Sequence, residues 1–188
     1  MNLSRLYYAG HERTIALLLL TTLFIGGCKQ VSPRVDDAAE KAKIEQVIKN
    51  SIRWVLTKDT VLSYSCFSQD SSLFWFSPDN AGTMKGSDNF KKLTEELFMD
   101  PRFKGVKSDF KEMRIDLSYS GDCAWWSCYL DDFNEWDGQP ANWENVRWTG
   151  VLEKIEGAWK IRQMHFSYSL ENMQREIQKA VDSVKAGK

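Results

Sequence analysis

Residues 147–167 decide the fold, and they read RWTGVLEKIEGAWKIRQMHFS. Two runs rich in large apolar and β-branched side chains flank Glu156 and Gly157. A glycine at this position can adopt the positive φ that a tight turn between antiparallel strands requires. The stretch therefore predicts a β-hairpin with strands over residues 143–155 and 159–168.

Further strand-like segments lie on the N-terminal side of this hairpin. Residues 106–117 and 123–136 are rich in large apolar side chains, and turns that contain Gly or Pro follow each long segment. Residues 72–76 form a shorter apolar run that ends before Pro78. Together with the hairpin, these segments predict a four-stranded meander preceded by one short strand.

Three segments show the spacing of three and four between apolar residues that is typical of helices. They predict a long helix over residues 39–65, a second over 88–98 with Ser87 as its N-cap, and a third over 170–184. Helices kept to one side of antiparallel strands make an α+β domain. We expect the last helix to pack on the domain or on a second copy of it, through the apolar stripe of Met173, Ile177, Val181 and Val184.

The order of the elements and the sequence of the hairpin resemble SnoaL-like domains of the NTF2-like superfamily. The Arg-x-Thr strand, the acidic-Gly turn, the Trp-Lys-Ile segment and the His-x-Ser ending of these domains match Arg147, Glu156, Trp159 and His165 with their neighbours. The resemblance covers about residues 40–169. It implies an NTF2-like cone, in which a curved antiparallel sheet wraps around the long first helix and encloses a pocket. The superfamily contains isomerases, dehydratases and non-catalytic binding domains, so the fold does not settle the function.

The resemblance, combined with strand alternation, assigns the walls of this pocket. Alternation from Trp159 places His165 on its inner face, and the preceding strand contributes Arg147 to the same interior. Trp125 is an alternative to Trp126 on the third long strand. The expected ligand-binding residues are Trp75, Trp126, Tyr129, Arg147, Thr149, Gln163 and His165.

Two of these residues are candidates for catalysis, and each has a structural alternative. His165 is the only histidine after residue 27, which excludes a site built from several histidines, and we predict no metal. Its imidazole can serve as a general acid or base, or be a hydrogen-bonded part of the fold. Arg147 can hold a ligand carboxylate or phosphate in a bidentate grip, or pair with an acidic residue of the domain.

Acidic residues cluster where residues 123–136 end. Paired carboxylates can hydrolyse glycosides, but a position at a strand-to-loop exit favours a solvated acidic loop. Asp79 falls near the place of the acidic base in ketosteroid isomerases of this fold, although the partner residues of that chemistry are not recognisable. The clustered residues are Asp131, Asp132, Glu135 and Asp137.

Composition narrows the function. Eight tryptophans predict an aromatic-lined cone for a small ring-containing ligand, apolar or weakly anionic. No basic stripe is present, which argues against nucleic acid. Nucleotide, esterase and redox motifs are absent, so we expect no cofactor. Binding of such a ligand is the first hypothesis, a cofactor-free isomerase or dehydratase using His165 and Arg147 is the second, and a homodimeric assembly module is the third.

The N-terminus predicts a secreted precursor. The uncharged stretch over residues 14–25 is shorter than the about 20 residues that a transmembrane helix needs, and it matches a signal peptide. The following Ile25-Gly26-Gly27-Cys28 resembles the lipobox of bacterial lipoproteins. We expect a signal peptide over residues 1–27, a tether lipidated at Cys28 over 28–38, and a domain over 39–188. The expected location is the bacterial envelope, anchored to the outer membrane. An ordinary signal peptide is the alternative.

Three cysteines remain in the domain. Cys123 and Cys128 are five residues apart on one predicted strand, so their side chains point to opposite faces and cannot bridge each other. Cys66 can pair with either of them in an oxidising compartment, or all three can be buried free thiols.

Overall fold

A computed structural model of the compact unit Val35–Lys188 describes residues 37–79 and 81–186. The predicted signal peptide and the predicted lipidation site at Cys28 lie outside the described residues. None of the described helices is both long enough and apolar enough to cross a membrane.

Seven strands form one curled sheet. Their order is β2-β1-β7-β6-β4-β3, and β5 pairs with β4 beside this path. Among the pairings of these strands, that of β1 with β7 is parallel and the others are antiparallel, and an isolated bridge between Phe67 and Ile161 is also parallel. The strands are β1 (Phe74–Phe76), β2 (Met84–Lys85), β3 (Phe103–Leu117), β4 (Cys123–Trp136), β5 (Gln139–Pro140), β6 (Trp143–Ile155) and β7 (Ala158–Ser167).

The predicted first helix is divided in two. Lys58 has a positive φ of 55°, and Asp59 caps a new helix by accepting a hydrogen bond from the backbone N of Leu62 at 2.9 Å. At the second predicted helix, Gly86 is the cap residue and Ser87 is already helical, so the prediction of Ser87 as N-cap was wrong. The helices are α1 (Asp37–Arg53), a 3₁₀ turn (Trp54–Leu56), α2 (Thr60–Cys66), α3 (Ser87–Leu93), a π-helical turn (Thr94–Phe98) and α4 (Leu170–Ala186).

Bulges curl the sheet around α1. The pairing of β3 with β4 shifts register between Gly105 and Lys107 and again between Lys111 and Arg114. The pairing of β4 with β6 shifts next to Asn145, which has a positive φ of 53°. Each bulge bends its strand and increases the local twist. The predicted α+β class, with a sheet wrapped around the first helix, is confirmed.

The core lies between α1 and the concave face of the sheet. Ile44 and Ile48 of α1 are fully buried there, as is Trp148 of β6. The Trp148 ring stacks on Phe166 with centroids 5.5 Å apart and meets Trp126 edge-on at 5.2 Å. A side chain at position 150 would collide with the Trp126 ring, so the close approach of this ring requires Gly150.

A buried carboxylate closes the narrow end of the cone. Glu40, in the first turn of α1, is only 6% exposed. It accepts hydrogen bonds from Lys154 Nζ at 2.8 Å, Lys43 Nζ at 2.7 Å and the indole nitrogen of Trp159 at 2.7 Å. These donors, Lys154 first, lower the pKa of Glu40 to about 2. The interaction ties the start of α1 to the β6–β7 hairpin.

The C-terminal helix leaves its apolar stripe uncovered. Asn172 Nδ2 donates to the backbone oxygen of Asn145 at 2.6 Å and fixes the first turn of α4 to β6. Beyond that turn, Met173, Ile177 and Val181 are 49%, 59% and 40% exposed. The side chain of Val184 lies outside the described part of the chain. The three described residues of this stripe are therefore not buried against their own domain, and packing on a second copy stays a prediction.

Candidate functional site

A cavity of about 450 Å³ occupies the wide end of the cone. It lies beyond the C-terminal end of α1, at the opposite end of that helix from Glu40, and the ends of β3, β4, β6 and β7 enclose it. Eight aromatic side chains line it. They are Trp54, Trp75, Phe90, Phe98, Phe103, Trp136, Trp143 and Phe166.

The aromatic rings hold each other in place through edge-to-face contacts. Phe98 meets Trp54 at 5.4 Å and Phe103 at 5.2 Å, which connects the π-helical turn to the 3₁₀ turn and to β3. Trp143 meets Phe166 at 5.4 Å across β6 and β7. Such pairs add stability beyond the area that they bury. The wall is therefore a mutually braced set of rings.

One wall of the cavity is polar. Asp132 and Asn134 are two residues apart on β4, so both side chains point to the concave face. Both line the cavity, and Asn134 Nδ2 donates to Asp132 Oδ2 at 2.8 Å. Burial raises the pKa of Asp132 to about 6, against the opposing effect of the hydrogen bond from Asn134. This carboxyl group can exchange a proton near neutral pH.

Asn134 also presents an acceptor that has no donor. The residue is only 7% exposed, and its Oδ1 accepts no hydrogen bond from the described residues. Its backbone holds the loop at the cavity mouth, since Asn134 O accepts from Ala141 N at 2.8 Å and Asn134 N donates to Asn142 Oδ1 at 3.1 Å. One N–H of Nδ2 is used by Asp132, and Oδ1 is left as a buried acceptor without a donor among the described residues.

The described lining residues carry negative charge and no positive charge. Asp79 joins Asp132 as a second carboxylate, and its Oδ1 accepts from the backbone N of Gly82 at 2.6 Å. None of the described residues that line the cavity is Lys, Arg or His.

His165 and Gln163 do not line the cavity, and the predicted inward orientation was wrong. Val151 pairs with Gln163 and Leu152 pairs with Ile161, so Arg162 is an unpaired extra residue in β7. Trp159 and Ile161 point inward as expected, but the bulge reverses the alternation after them. His165 and Gln163 are consequently exposed, and Met164 and Phe166 take the inner positions.

The same correction applies to Arg147, Thr149 and Tyr129. Arg147 and Thr149 are exposed, on either side of the fully buried Trp148. Tyr129 pairs with Arg147 on this outer face, and Thr149 pairs with His165. Arg147 donates to the backbone oxygen of Tyr168 at 2.7 Å. A reaction inside the cavity that uses His165 and Arg147 is incompatible with this placement.

The two predicted tryptophans have different positions. Trp75 lines the cavity as expected. Trp126 points inward but is 2% exposed in the core, packed on Trp148, and is not among the lining residues. The alternative, Trp125, is 46% exposed on the outer face.

The sequence interpretation missed the polar wall. It assigned Asp132 to a solvated acidic loop, yet β4 continues to Trp136 and its inward positions include Leu130, Asp132 and Asn134. Strict alternation along this segment was the available signal. Asp131 and Glu135 are also part of β4, on its other face, where they pair with Lys111 at 2.9 Å and Lys104 at 3.3 Å.

Other reactive groups do not form a second site. Within the described ranges, no cluster of three or more His, Cys, Asp or Glu residues can hold a metal ion. Cys66, Cys123 and Cys128 are free thiols. Burial raises the pKa of Cys66 to about 11 and that of Cys128 to about 12, so both thiols stay protonated at neutral pH.

Comparisons with known proteins support the fold. The profile of the SnoaL-like domain matches residues 44–171. A comparison with curated proteins finds no match. A type 2 hexachlorocyclohexane dehydrochlorinase superposes with a TM-score of 0.58 and 17% identity, over 71% of this chain and 88% of that one.

Two further structures have other roles or none assigned. An NTF2-like protein of unknown function from Prochlorococcus marinus gives a TM-score of 0.55 and 12% identity, over 71% of this chain and 96% of that one. The association domain of C. elegans CaMKII gives a TM-score of 0.53 and 16% identity, over 70% of this chain and 98% of that one. At these identities the likeness concerns the fold alone, and the predicted NTF2-like cone is confirmed.

Proposed function

Since the chain belongs to the SnoaL-like domain family, we propose that it binds a small ring-containing apolar ligand in the aromatic cavity. The carrying observation is the wall of eight aromatic side chains around about 450 Å³. This volume lies within the range of about 300–1,000 Å³ that small-molecule sites occupy. A structural neighbour, the hexachlorocyclohexane dehydrochlorinase, acts on a ring compound and supports the same class of ligand.

A weakly anionic ligand, which the sequence suggested, is not part of the proposed function. That expectation rested on Arg147, which lies on the outer face of the sheet. The two carboxylates of the lining, Asp79 and Asp132, would repel an anion. A neutral or positively charged ring compound is compatible with them.

Blocking the cavity tests the binding proposal. Titration of the protein with 2-naphthylmethanol, followed by quenching of tryptophan fluorescence, measures the Kd of a neutral ring compound. Ala141→Trp places a large ring in the lining and is expected to raise this Kd at least about tenfold. Ala158→Trp, at an exposed position of the β6–β7 hairpin, is the matched control and should leave the Kd unchanged. Equal weakening by both variants, or no saturable binding to the parent, would contradict the proposal.

We also propose that the domain is carried on a lipid-anchored protein of the bacterial envelope, at the outer membrane. The support is the sequence Ile25-Gly26-Gly27-Cys28 directly after an uncharged stretch. Metabolic labelling with a clickable fatty acid should mark the parent protein, and Cys28→Ser should remove the label. The same label on the parent and the variant would refute lipidation at Cys28.

A second candidate function is cofactor-free acid–base catalysis on the bound ligand, as in an isomerase or a dehydratase. The observation that favours it is Asp132, a cavity carboxyl group whose pKa is raised to about 6 by burial. Such a group can take up and return a proton near neutral pH. With any substrate that is found, Asp132→Asn should abolish turnover and preserve binding. Retained turnover would leave binding as the function.

A further inference from the structure

We infer that the ligand presents a positively charged or N–H-bearing nitrogen to Asp132 and Asn134, so that the cavity selects ring-containing amines over alcohols and acids of the same shape. This inference rests on the proposed binding function and specifies the chemical class of the ligand.

The polar wall offers two acceptors toward the ligand, the Asp132 carboxylate and Asn134 Oδ1. Asn134 Nδ2 donates one of its two N–H groups to Asp132 Oδ2 at 2.8 Å, which turns Asn134 Oδ1 away from the carboxylate. That oxygen is buried and has no donor among the described residues. A buried acceptor without a donor is costly, so a ligand that supplies an N–H gains a hydrogen bond that the protein alone lacks.

The two residues can act together on one group. Side chains two residues apart on the same face of a strand are separated by about 7 Å at their backbones, and the hydrogen bond draws these two together. An ammonium group has three N–H donors, which suffice for a carboxylate oxygen and the Asn134 oxygen at once. A hydroxyl has one donor and leaves one of the two acceptors unused.

The charge of the lining favours a cation. Asp132 and Asp79 are both acidic, and no described lining residue is basic. The aromatic rings add to this preference, because the face of an indole or phenyl ring attracts a cation. A carboxylate ligand would instead meet two like charges and an unpaired acceptor.

The protonation state of Asp132 agrees with a cationic partner. Burial disfavours the ionised carboxylate of Asp132, so its pKa is raised in the free protein. A cation at hydrogen-bond distance lowers the pKa of a neighbouring carboxyl group. Amine binding near pH 6 should therefore release a proton, whereas binding of the alcohol should not.

Three probes of nearly the same shape test the inference. They are 2-naphthylmethylamine, 2-naphthylmethanol and 2-naphthoate, titrated at pH 7.5 by tryptophan quenching. We expect the amine to bind at least about tenfold more tightly than the alcohol, since a hydrogen bond between charged groups is stronger than one to a neutral hydroxyl. The naphthoate should bind most weakly. Asp132→Asn should remove the advantage of the amine over the alcohol, and thermal melting followed by circular dichroism shows whether the variant is folded.

Two more variants keep the test decisive. Asp109→Asn removes an exposed carboxylate of β3 that pairs with Lys107, and it should retain the preference for the amine. Asn134→Leu removes the free acceptor and should reduce the preference. Equal affinity for amine and alcohol in the parent, or loss of the preference in Asp109→Asn, would overturn the inference and leave the binding proposal intact. Failure of all three probes to bind the parent would overturn both.

Discussion

Two carboxylates lie at opposite ends of the cone, and the protein treats them differently. Glu40 at the narrow end accepts three hydrogen bonds, two of them from lysines, and its pKa is lowered to about 2. Asp132 at the wide end has one hydrogen bond, from an uncharged amide, and its pKa is raised to about 6. Charged donors lower the pKa of Glu40, whereas burial with a single uncharged donor raises the pKa of Asp132.

The contrast separates structural carboxylates from functional ones. A fully satisfied carboxylate stabilises the fold and has no capacity left for a ligand. Burial destabilises the other kind of carboxylate, which lies next to an acceptor without a donor. Such a carboxylate can still bind a partner that supplies hydrogen-bond donors and positive charge. Perturbed groups of this second kind concentrate at functional sites.

Removing the charge of Glu40 should have the largest effect on stability. Glu40→Gln eliminates two ion pairs, and Trp159 loses its charged acceptor. We expect a loss of about 2 kcal/mol in the free energy of unfolding. The loss is smaller than for a fully buried ion pair because solvent reaches both lysines. For a domain of this size that corresponds to a fall in Tm of about 4–8 °C, measured by differential scanning calorimetry at pH 7.

An exposed pair on the same helix is the control for Glu40. Glu45→Gln breaks the pair of Glu45 with Lys49, in which the Glu45 side chain is 44% exposed, and should change the Tm by no more than about 2 °C. Equal effects of Glu40→Gln and Glu45→Gln would mean that the narrow end is not held together by the buried carboxylate.

Asp132→Asn should change the free energy of unfolding in the opposite direction and stabilise the protein. The folded-state pKa of Asp132 lies above its ordinary value of 3.8, so the folded protein loses stability as the pH rises through about 4 to 6. An amide at this position avoids that loss, and we expect a gain of about 1–2 kcal/mol at pH 7.5. Below pH 4 the gain should vanish, because the carboxyl group is then protonated in both states. Urea unfolding at pH 7.5 and at pH 3.5 measures the difference in unfolding free energy between the parent and Asp132→Asn, and Asp109→Asn is the control.

A gain for Asp132→Asn that persists at pH 3.5 would have a different cause, such as better packing. A loss of stability at pH 7.5 would show that the ionised carboxylate already has a sufficient partner in the free protein. The second outcome would remove the distinction between the two ends of the cone.

The sequence predicted the fold because the relevant patterns are local. The turn at Glu156 and Gly157, the alternation within β4 and the apolar spacing in α1 each depend on residues that are close in the chain. Even the break between α1 and α2 has a local cause, the positive φ of Lys58, although a lysine gives no sign of it in the sequence.

The site was harder to predict because its geometry depends on the pairing of distant segments. One extra residue, Arg162, reverses the orientation of His165, and the bulge is defined only by the pairing of β7 with β6. The Arg162 guanidinium pairs with Asp70 at 2.7 Å and Glu153 at 2.6 Å, which holds the extra residue on the outer face. The burial that raises the pKa of Asp132 likewise comes from the whole cavity wall and not from its neighbours in sequence.

The two carboxylates should contribute independently. Glu40 lies in the first turn of α1, and the cavity begins near its last turn, about 17–20 Å away at 1.5 Å per residue. Changes at such a distance usually add within about 0.5 kcal/mol. The double variant Glu40→Gln/Asp132→Asn should therefore show the sum of the two changes in unfolding free energy, measured by urea unfolding at pH 7.5. A larger deviation would indicate that α1 transmits a change from one end of the cone to the other.

The two carboxylates should affect stability in different pH ranges. The folded-state pKa of Glu40 lies below its ordinary value of 4.5, so its contribution to stability is complete above that pH and is lost as the pH falls toward about 2. Glu40→Gln should flatten the loss of stability on the acid side, and Asp132→Asn should flatten the decline between about pH 4 and 6. Thermal melting over pH 2.5–8 would contradict this assignment if either variant changed the opposite side of the profile.

Removing α4 should have the smallest effect on the domain. Truncation after Ser169 eliminates the hydrogen bonds between Asn172 and Asn145, but the apolar residues Met173, Ile177 and Val181 are already exposed. Because little apolar surface is lost from the core, we expect the Tm to change by no more than about 2 °C. Calorimetry and sedimentation velocity on the truncated and full domains check this. A larger fall in Tm, together with a lower sedimentation coefficient, would show that a second copy of the chain covers the stripe, as expected of a dimeric assembly module. A larger fall at an unchanged sedimentation coefficient would show that α4 packs on its own domain after all.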